Sequence, residues 1–334
     1  MSVRTTLIRG SAFVAAGLAA VLTLAACGSS SDPLASSTTS AAASAAASGS
    51  GAASGSGAAS GSGSAAAGGQ IVIGSANFPE STLIANIYAE ALKAKGVDVS
   101  TNLNIGSREV YIKAMEDGSI NLIPEYTGVL LQYFDKTATA VSADDVYAAL
   151  QKALPSGLQV LDKSSAEDKD AIVITKESAD ANNLKSIADL APLAASWVLG
   201  GPPEFQTRPD GVPGLLAKYG LTFKEFKALD AGGPLTVGAL TSDQIQAGDL
   251  FTTDPAITAN NFVVLDDPKN NFAAQNVLPL ISSAVATPEV AAALNAVSAK
   301  LTTQTLIDLN TKVSVDKQDS AQVAQEWVAA NLPG

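Results

Sequence analysis

The chain of 334 residues contains no histidine. That removes the commonest general base, a usual metal ligand and every Ser–His or Cys–His nucleophile pair. An enzyme built from carboxylates alone stays open. Cysteine occurs once, at Cys27, which excludes a disulfide framework and leaves the fold to stand on its core. Aromatic residues make up only 5% of the chain, so a site walled by many rings has little to draw on. Positive charge is scarce too: 20 Lys and Arg against 32 Asp and Glu leave a net charge of −12. That balance argues against nucleic acid as a partner and gives no general attraction to anionic lipid. No Gly-x-x-x-x-Gly-Lys-Ser/Thr run is present, so no nucleotide site is expected. Catalytic residues, metal and cofactor are all expected to be absent.

At the N-terminus Arg4 and Arg9 precede an uncharged stretch, Ser11 to Leu24, closed by Leu24-Ala-Ala-Cys27. Charge, short apolar core and small-residue cleavage site form a secretory pattern. The apolar core is shorter than the ~20 residues of a membrane-spanning helix. The segment resembles a bacterial lipobox, which implies a diacylglycerol on the Cys27 thiol and cleavage just before it. An ordinary secreted protein with a stray cysteine is the plainer alternative. Residues 28–69 are almost all Ser, Gly and Ala and cannot bury enough apolar surface to offset the entropy of ordering them. They are expected to form a flexible tether with a reach of roughly 35 Å. Residues 1–27 are thus read as signal peptide, 28–69 as tether and 70–334 as the folded body, held to the outer face of a cell membrane through Cys27.

The body opens as strand, helix, strand, helix, strand. Ile71–Gly74 is a short apolar run. Leu83, Ile84, Ile87, Ala91 and Leu92 recur at helical spacing until Gly96. Val97, Val99, Leu103 and Ile105 predict a second strand, and a helix follows through Met115. The alternation implies an α/β fold with a mostly parallel sheet. Ser142 and Asp145 predict a capped helix to Leu154. Strands are then expected at Leu158–Leu161 and Ala171–Thr175, a short helix at Ser186–Leu190, and strands at Ser196–Leu199, Asp249–Thr252 and Phe262–Leu265. Gly200–Gly214 is a loop dense in Gly and Pro. A helix ending at Tyr219 and another within Leu235–Ala247 are expected, and after the apolar run Leu278–Val285 three helices close the chain. Two α/β halves with a helical tail fit two lobes better than one long sheet.

One stretch organises the rest: Gly118-Ser-Ile-Asn-Leu-Ile-Pro-Glu-Tyr-Thr-Gly128. Its apolar half reads as a buried strand, and Glu125, Tyr126 and Thr127 follow at the strand's carboxyl end, where open α/β sheets bind ligands. Gln246-Ala-Gly-Asp-Leu-Phe-Thr-Thr-Asp254 echoes it in the second half, so two polar strand ends are expected to face each other across one cleft.

Taken together, Ile71–Glu80, Gly106-Ser-Arg108, Pro124-Glu-Tyr-Thr-Gly128, Gly200-Gly-Pro-Pro-Glu-Phe205 with Arg208 and Asp210-Gly-Val-Pro-Gly214, and Thr253-Asp254 resemble the substrate-binding proteins of glycine betaine, choline, carnitine and related quaternary-ammonium ABC importers. The resemblance implies a two-lobed periplasmic-binding-protein-like (type II) fold with two hinge strands, here Asp170–Lys176 and the run around Asn276–Ser283. Lobe 1 is then expected at 70–174 and 273–334, and lobe 2 at 175–272. It also implies a monomeric receptor that closes on a small-molecule solute and delivers it to a permease driven by an ATPase. A quaternary ammonium cannot donate a hydrogen bond, so ring faces hold it, at ~0.5–2 kcal/mol per contact; a ligand carboxylate is held by cationic or hydroxyl donors. Tyr126 matches a cage tyrosine with Thr127 beside it, and Arg208 matches an arginine of the carboxylate or the cleft edge. Asn77 and Phe78 fall on the first-lobe rim, and Asp170, Glu204, Phe205, Thr253 and Asp254 complete the candidate set.

The chain departs from the family pattern at Ala76, where many members have lysine, and at Val129, where a hydroxyl is common. Asp168-Lys-Asp170 stands where another cage tyrosine often lies, and Phe251 replaces a tyrosine. A four-ring cage is therefore not expected. If Asp170 lines the cleft, a cation without a carboxylate, such as choline, or a hydroxylated neutral ligand enters consideration. Each residue also has a duller role: Tyr126 packing under its loop, Arg208 paired with Glu204 or Asp210, Phe205 and Phe251 in a core, Asp170 solvated, Asn77 and Asp254 as helix caps. Two other classes stand beside the receptor, a lipoprotein that binds a protein partner and a secreted hydrolase using Glu125 and Glu204 as acid and base.

Overall fold

Short apolar runs bounded by glycine or proline fold here into buried strands, and the amphipathic runs between them into helices. The computed structural model describes residues 69–332; the signal segment, Cys27 and the tether as far as residue 68 lie outside the described residues. The strands are β1 (Ile71–Ala76), β2 (Val99–Gly106), β3 (Leu122–Tyr126), β4 (Leu158–Val160), β5 (Asp170–Ile174), β6 (Val198–Gly201), β7 (Glu225–Ala228), β8 (Ala247–Phe251), β9 (Val263–Val264) and β10 (Val277–Ser282). They make two sheets of order β2-β1-β3-β10-β4 and β7-β6-β8-β5-β9. The fold is two-lobed α/β, of the periplasmic type II kind. The chain passes between the sheets over residues 161–169 and 265–276, and a bridge between Glu167 and Asn276 ties the two crossings together.

Strand direction decides where the site lies. In the first sheet β1 runs parallel to β2 and β3, while β10 is antiparallel to β3. In the second, β6 runs parallel to β7 and β8, while β5 is antiparallel to β8. In each sheet the carboxyl ends of the parallel strands therefore share an edge with the amino end of the returning strand.

The helices are α1 (Pro79–Lys93), α2 (Arg108–Glu116), α3 (Thr127–Phe134), α4 (Ala143–Ala153), α5 (Lys176–Asn182), α6 (Val212–Tyr219), α7 (Pro234–Thr241), α8 (Pro255–Ala259), α9 (Pro288–Lys300), α10 (Thr303–Ser314) and α11 (Ser320–Asn331). α1 is the centre of the first core. Its Leu83, Ile84, Ile87 and Leu92 are fully buried with Leu294, Leu306, Val323 and Trp327, so the C-terminal helices return to the first lobe. Burying each such aliphatic side chain contributes about 1.5–3 kcal/mol. The second core gathers Ile172, Leu199, Phe205, Leu215 and Phe272. No helix among the described residues is long and apolar enough to cross a membrane.

The structure departs from the sequence expectations in several places. Neither expected hinge strand is a crossing: Asp170–Ile174, assigned to lobe 1, is hydrogen-bonded between β8 and β9 in the second sheet, and Val277–Ser282 is hydrogen-bonded between β3 and β4 in the first; the crossings are the irregular segments before each. α3 begins directly after Tyr126, where Thr and Gly are poor helix formers and no helix was expected. Gly128 is needed there because a Cβ would stand 2.7 Å from the Ala274 carbonyl oxygen. α5 and β7 were also unforeseen. Ser186–Leu190 is a single 3-10 turn over Ile187–Leu190.

Candidate functional site

The two shared edges face each other and enclose one cavity. From the first lobe come Ala76 ending β1, Asn77 and Phe78 after it, Ser107 and Arg108 after β2, Tyr126 ending β3, and Gln275 leading into β10. From the second come Asp170 opening β5, Pro202, Glu204 and Arg208 after β6, Ala231 after β7 and Phe251 ending β8. Asp168, on the crossing, lines it too. The space amounts to about 50 Å³, several times what one water needs.

Ring faces form one wall. The Phe78 centroid lies 6.1 Å from that of Tyr126 and 5.1 Å from that of Phe251, at interplanar angles of 34° and 45°. Both separations fall in the range aromatic pairs favour. Phe251 is paired directly across from Asp170 in the β5–β8 register, and residues so paired share a face of the sheet. A ring and a carboxylate are thereby presented to the same space.

The Tyr126 hydroxyl donates to Glu80 Oε1 at 2.6 Å, and Glu80 Oε2 accepts from the Thr253 hydroxyl at 2.5 Å and from Asn310 Nδ2 at 2.6 Å. One buried carboxylate thus joins a cavity ring, the second lobe and α10. Burial, with the charges of Glu80 and Asp168, pushes the Tyr126 phenol well above its usual pKa, so it serves as a neutral donor.

Glu125 faces the interior. It accepts from Arg108 Nε at 2.7 Å, Arg108 Nη2 at 2.9 Å, the Tyr111 hydroxyl at 2.6 Å and the Tyr126 backbone N–H at 2.9 Å. Burial works against the Arg108 charge, but the charge and hydrogen bonds of Glu125, with Tyr111 and Glu109, together outweigh it and hold the guanidinium protonated. The second arginine, Arg208, spans the lobes: Nε and Nη2 donate to the two oxygens of Glu109 at 3.3 and 3.2 Å, and Glu204 stands 3.9 Å away. Glu109 lies in the first turn of α2, where a helix favours negative charge. Partial burial acts to raise its pKa, yet the hydrogen bonds from Arg208 and Ser107 and the charge of Arg208 hold it down at about 2.

Two aspartates on the cavity have no cationic partner among the described residues. Asp168 accepts from the Thr253 backbone N–H at 3.0 Å and the Thr252 hydroxyl at 3.3 Å; burial and the neighbouring Glu80 charge push its pKa well up. The Asp170 carboxylate, half-buried, accepts no hydrogen bond from another residue among the described residues. Burial first, then the charge of Asp210, raises it to about 7 against the pull of Arg208 and Arg108. Behind it Asp249, only 1% exposed, has both oxygens without a partner, and burial drives its pKa far up. No cluster of His, Cys, Asp and Glu suited to a metal occurs among the described residues.

Of the sequence-derived candidates, Asn77, Phe78, Tyr126, Asp170, Glu204 and Arg208 line this cavity. Thr127 does not: it is fully buried, its hydroxyl donating to the Ala274 carbonyl and accepting from the Asn276 N–H, so it anchors the returning crossing. Phe205 packs in the second core beside Phe226 and Phe272, drawn there because its 3-10 turn (Pro203–Gln206) folds back over α6. Thr253 and Asp254 wall an adjoining recess with Glu80 and Asn310. Asp254 also caps α8 by accepting from the Ala256 N–H at 2.8 Å, and burial raises it to about 6. The candidate set missed Arg108, Tyr111, Asp168 and Phe251. Arg108 was visible beside Glu109 in the Gly106-Ser-Arg motif, but the motif alone does not say which arginine meets which acid.

Two lobes closing a ring-and-carboxylate cavity between strand ends define a solute receptor of the periplasmic type II class. The chain belongs to the family of substrate-binding domains of ABC-type glycine betaine transport systems, whose pattern matches residues 69–330. Among similar proteins, the glycine-betaine-binding protein of Pseudomonas aeruginosa is 28% identical over 77% of this chain and 86% of its own. Glycine betaine-binding protein YehZ of Escherichia coli is 26% identical over 77% and 89%. A crystal structure described as a glycine betaine/carnitine/choline ABC transporter matches 78% of this chain and 98% of its own with a TM-score of 0.63, at 22% identity; it shares the fold.

Proposed function

We propose that this substrate-binding protein captures a small osmoprotectant-type cation, a quaternary ammonium compound such as glycine betaine or choline, between its lobes and delivers it to the permease of an ABC importer. The observation that carries the reading is the Phe78–Tyr126–Phe251 wall facing the unpaired Asp168 and Asp170. Rings attract a cation through their faces, and Asp170, with a pKa of about 7, adds negative charge to the cavity at and above neutral pH. The names of the relatives support the same ligand class.

The protein acts without catalysis in this reading. Glu125, one of the two carboxylates of the hydrolase alternative, is fully buried and engaged by four hydrogen bonds within the first lobe. The lobes are taken as hinged at residues 161–169 and 265–276, and closure moves them as in other two-lobed receptors. Asn77, Phe78, Tyr126, Asp170, Glu204 and Arg208 are assigned to the ligand cavity, with Thr253 and Asp254 beside it. The receptor is taken as a monomer. Cys27 is assigned the lipid anchor on its sequence context, so Cys27→Ala is expected to leave the membrane fraction or remain unprocessed; normal lipid labelling of that variant would refute the assignment. Equilibrium titration of the purified protein with glycine betaine, choline, carnitine, proline and ectoine tests the ligand class. Saturable binding of at least one quaternary ammonium compound is expected. Binding of proline or ectoine alone would displace the reading.

A further inference from the structure

Both arginines on the cavity are already engaged by carboxylates of the protein itself. Arg108 spends Nε and Nη2 on Glu125, and Arg208 spends the same pair of donors on Glu109, with Glu204 beside it. Asp168 and Asp170 have no ion-pair partner among the described residues. The groups around the cavity therefore count two positive charges against five carboxyl groups: Glu109, Glu125, Glu204, Asp168 and Asp170. A ligand that brings a positive charge alone meets complementary groups. One that also brings a carboxylate finds the Nε–Nη2 edge of each arginine taken and faces two further acids.

We propose that Glu109 is a specificity-determining residue: it occupies Arg208 in place of a ligand carboxylate, so that the cleft prefers a cation carrying no carboxylate over a zwitterion with the same cationic head. The inference rests on the receptor reading above and narrows its ligand. Three features of Glu109 carry it. It comes from the first lobe and reaches Arg208 of the second, so the pair forms only when the lobes approach. Its geometry is two-pronged, one oxygen to each of two guanidinium nitrogens, the arrangement by which an arginine would otherwise grasp a ligand carboxylate. Its side chain is 45% exposed and, with Arg208, walls a recess that adjoins the cavity, so it lies outside the core and its removal leaves no buried orphan. Arg108 has no such freedom, because Glu125 is fully buried and also bonded to Tyr111.

The test uses choline and glycine betaine, which share a trimethylammonium head and differ in a hydroxyl against a carboxylate. Affinities of the purified protein for both are measured for wild type, Glu109→Gln and Glu109→Asp, with thermal unfolding to verify the fold of each. The expected result is a wild-type preference for choline of about tenfold or more, ~1.4 kcal/mol. Glu109→Gln should narrow that ratio at least fivefold, mainly through tighter binding of betaine, and Glu109→Asp should restore part of it. An unchanged ratio in a well-folded Glu109→Gln protein overturns the inference and leaves the receptor reading intact, as does a wild-type preference for betaine. Failure of wild type to bind either compound, or any other quaternary ammonium, overturns the receptor reading and this inference with it.

Discussion

Two arginine–carboxylate pairs stand on one cavity and do different work. Arg108–Glu125 lies within the first lobe, both side chains almost wholly excluded from water, at 2.7 and 2.9 Å with a tyrosine hydroxyl completing the carboxylate. Arg208–Glu109 bridges the lobes beside the cavity, on an adjoining recess, partly solvated, at 3.2 and 3.3 Å. Charge-assisted bonds at 2.7–2.9 Å are the strong kind, and a buried pair that loses one partner strands a charge in low dielectric. The same residue types are therefore scaffold in one place and adjustable in the other. Burial, and not charge, separates them.

The sharpest way to test that contrast is to break the buried pair. Glu125→Ala should cost about 3–5 kcal/mol of stability, because Arg108 would remain buried and unpaired; a denaturation midpoint close to wild type would mean that water reaches the site. Next in size is the ring wall. Tyr126→Ala should weaken cation binding by ~0.5–2 kcal/mol in a protein that still folds, read by titration. Tyr126→Phe keeps the ring and loses only the hydroxyl bond to Glu80, so it should retain most of the affinity.

Asp170 gives a smaller, pH-dependent effect. Its folded pKa of about 7 lies above the ordinary value near 4, so between those values the folded protein holds a proton that the unfolded chain has released. Stability from this group is present at low pH and lost as pH rises through about 7. Asp170→Asn should therefore unfold at a higher temperature than wild type at pH 8, with the gap shrinking as pH falls and closing only near about pH 3, below the unfolded value. Affinity for a cation runs the other way, falling as pH drops below about 7, and Asp170→Asn should flatten that dependence. The smallest stability change belongs to the bridging pair. Glu109→Gln should cost less than about 1 kcal/mol, and a loss as large as that of Glu125→Ala would erase the distinction between the two pairs.

Much of this architecture was legible because its signals are local. Ile71–Gly74 and Leu122–Ile123 are apolar runs between breakers, α1 has a clean helical period, and Ser142 caps α4 through the Asp145 N–H at 3.3 Å as the spacing implied. The elements that escaped depend on distant partners. α3 exists because Gly128 lets it lie against Ala274, and β5 takes its sheet from β8, some eighty residues on. The site divides the same way. Tyr126, Arg208 and Asp170 could be picked out by motif and chemistry. That Thr127 turns inward to the returning crossing, that Phe205 sinks into a core and that Glu109 meets Arg208 are facts of tertiary packing that no spacing encodes. Phe251 lay between, a ring seen in the sequence as a replaced tyrosine whose pairing with Asp170 only the register reveals.

The central claim is capture of a quaternary ammonium solute between the lobes. Thermal unfolding of the purified protein with and without choline, glycine betaine and carnitine tests it most directly. A ligand at 100 times its dissociation constant should add ~2.7 kcal/mol to stability, so at least one of the three is predicted to raise the midpoint clearly. An unmoved midpoint with all three at millimolar concentration, in a protein that unfolds cooperatively, would contradict the account.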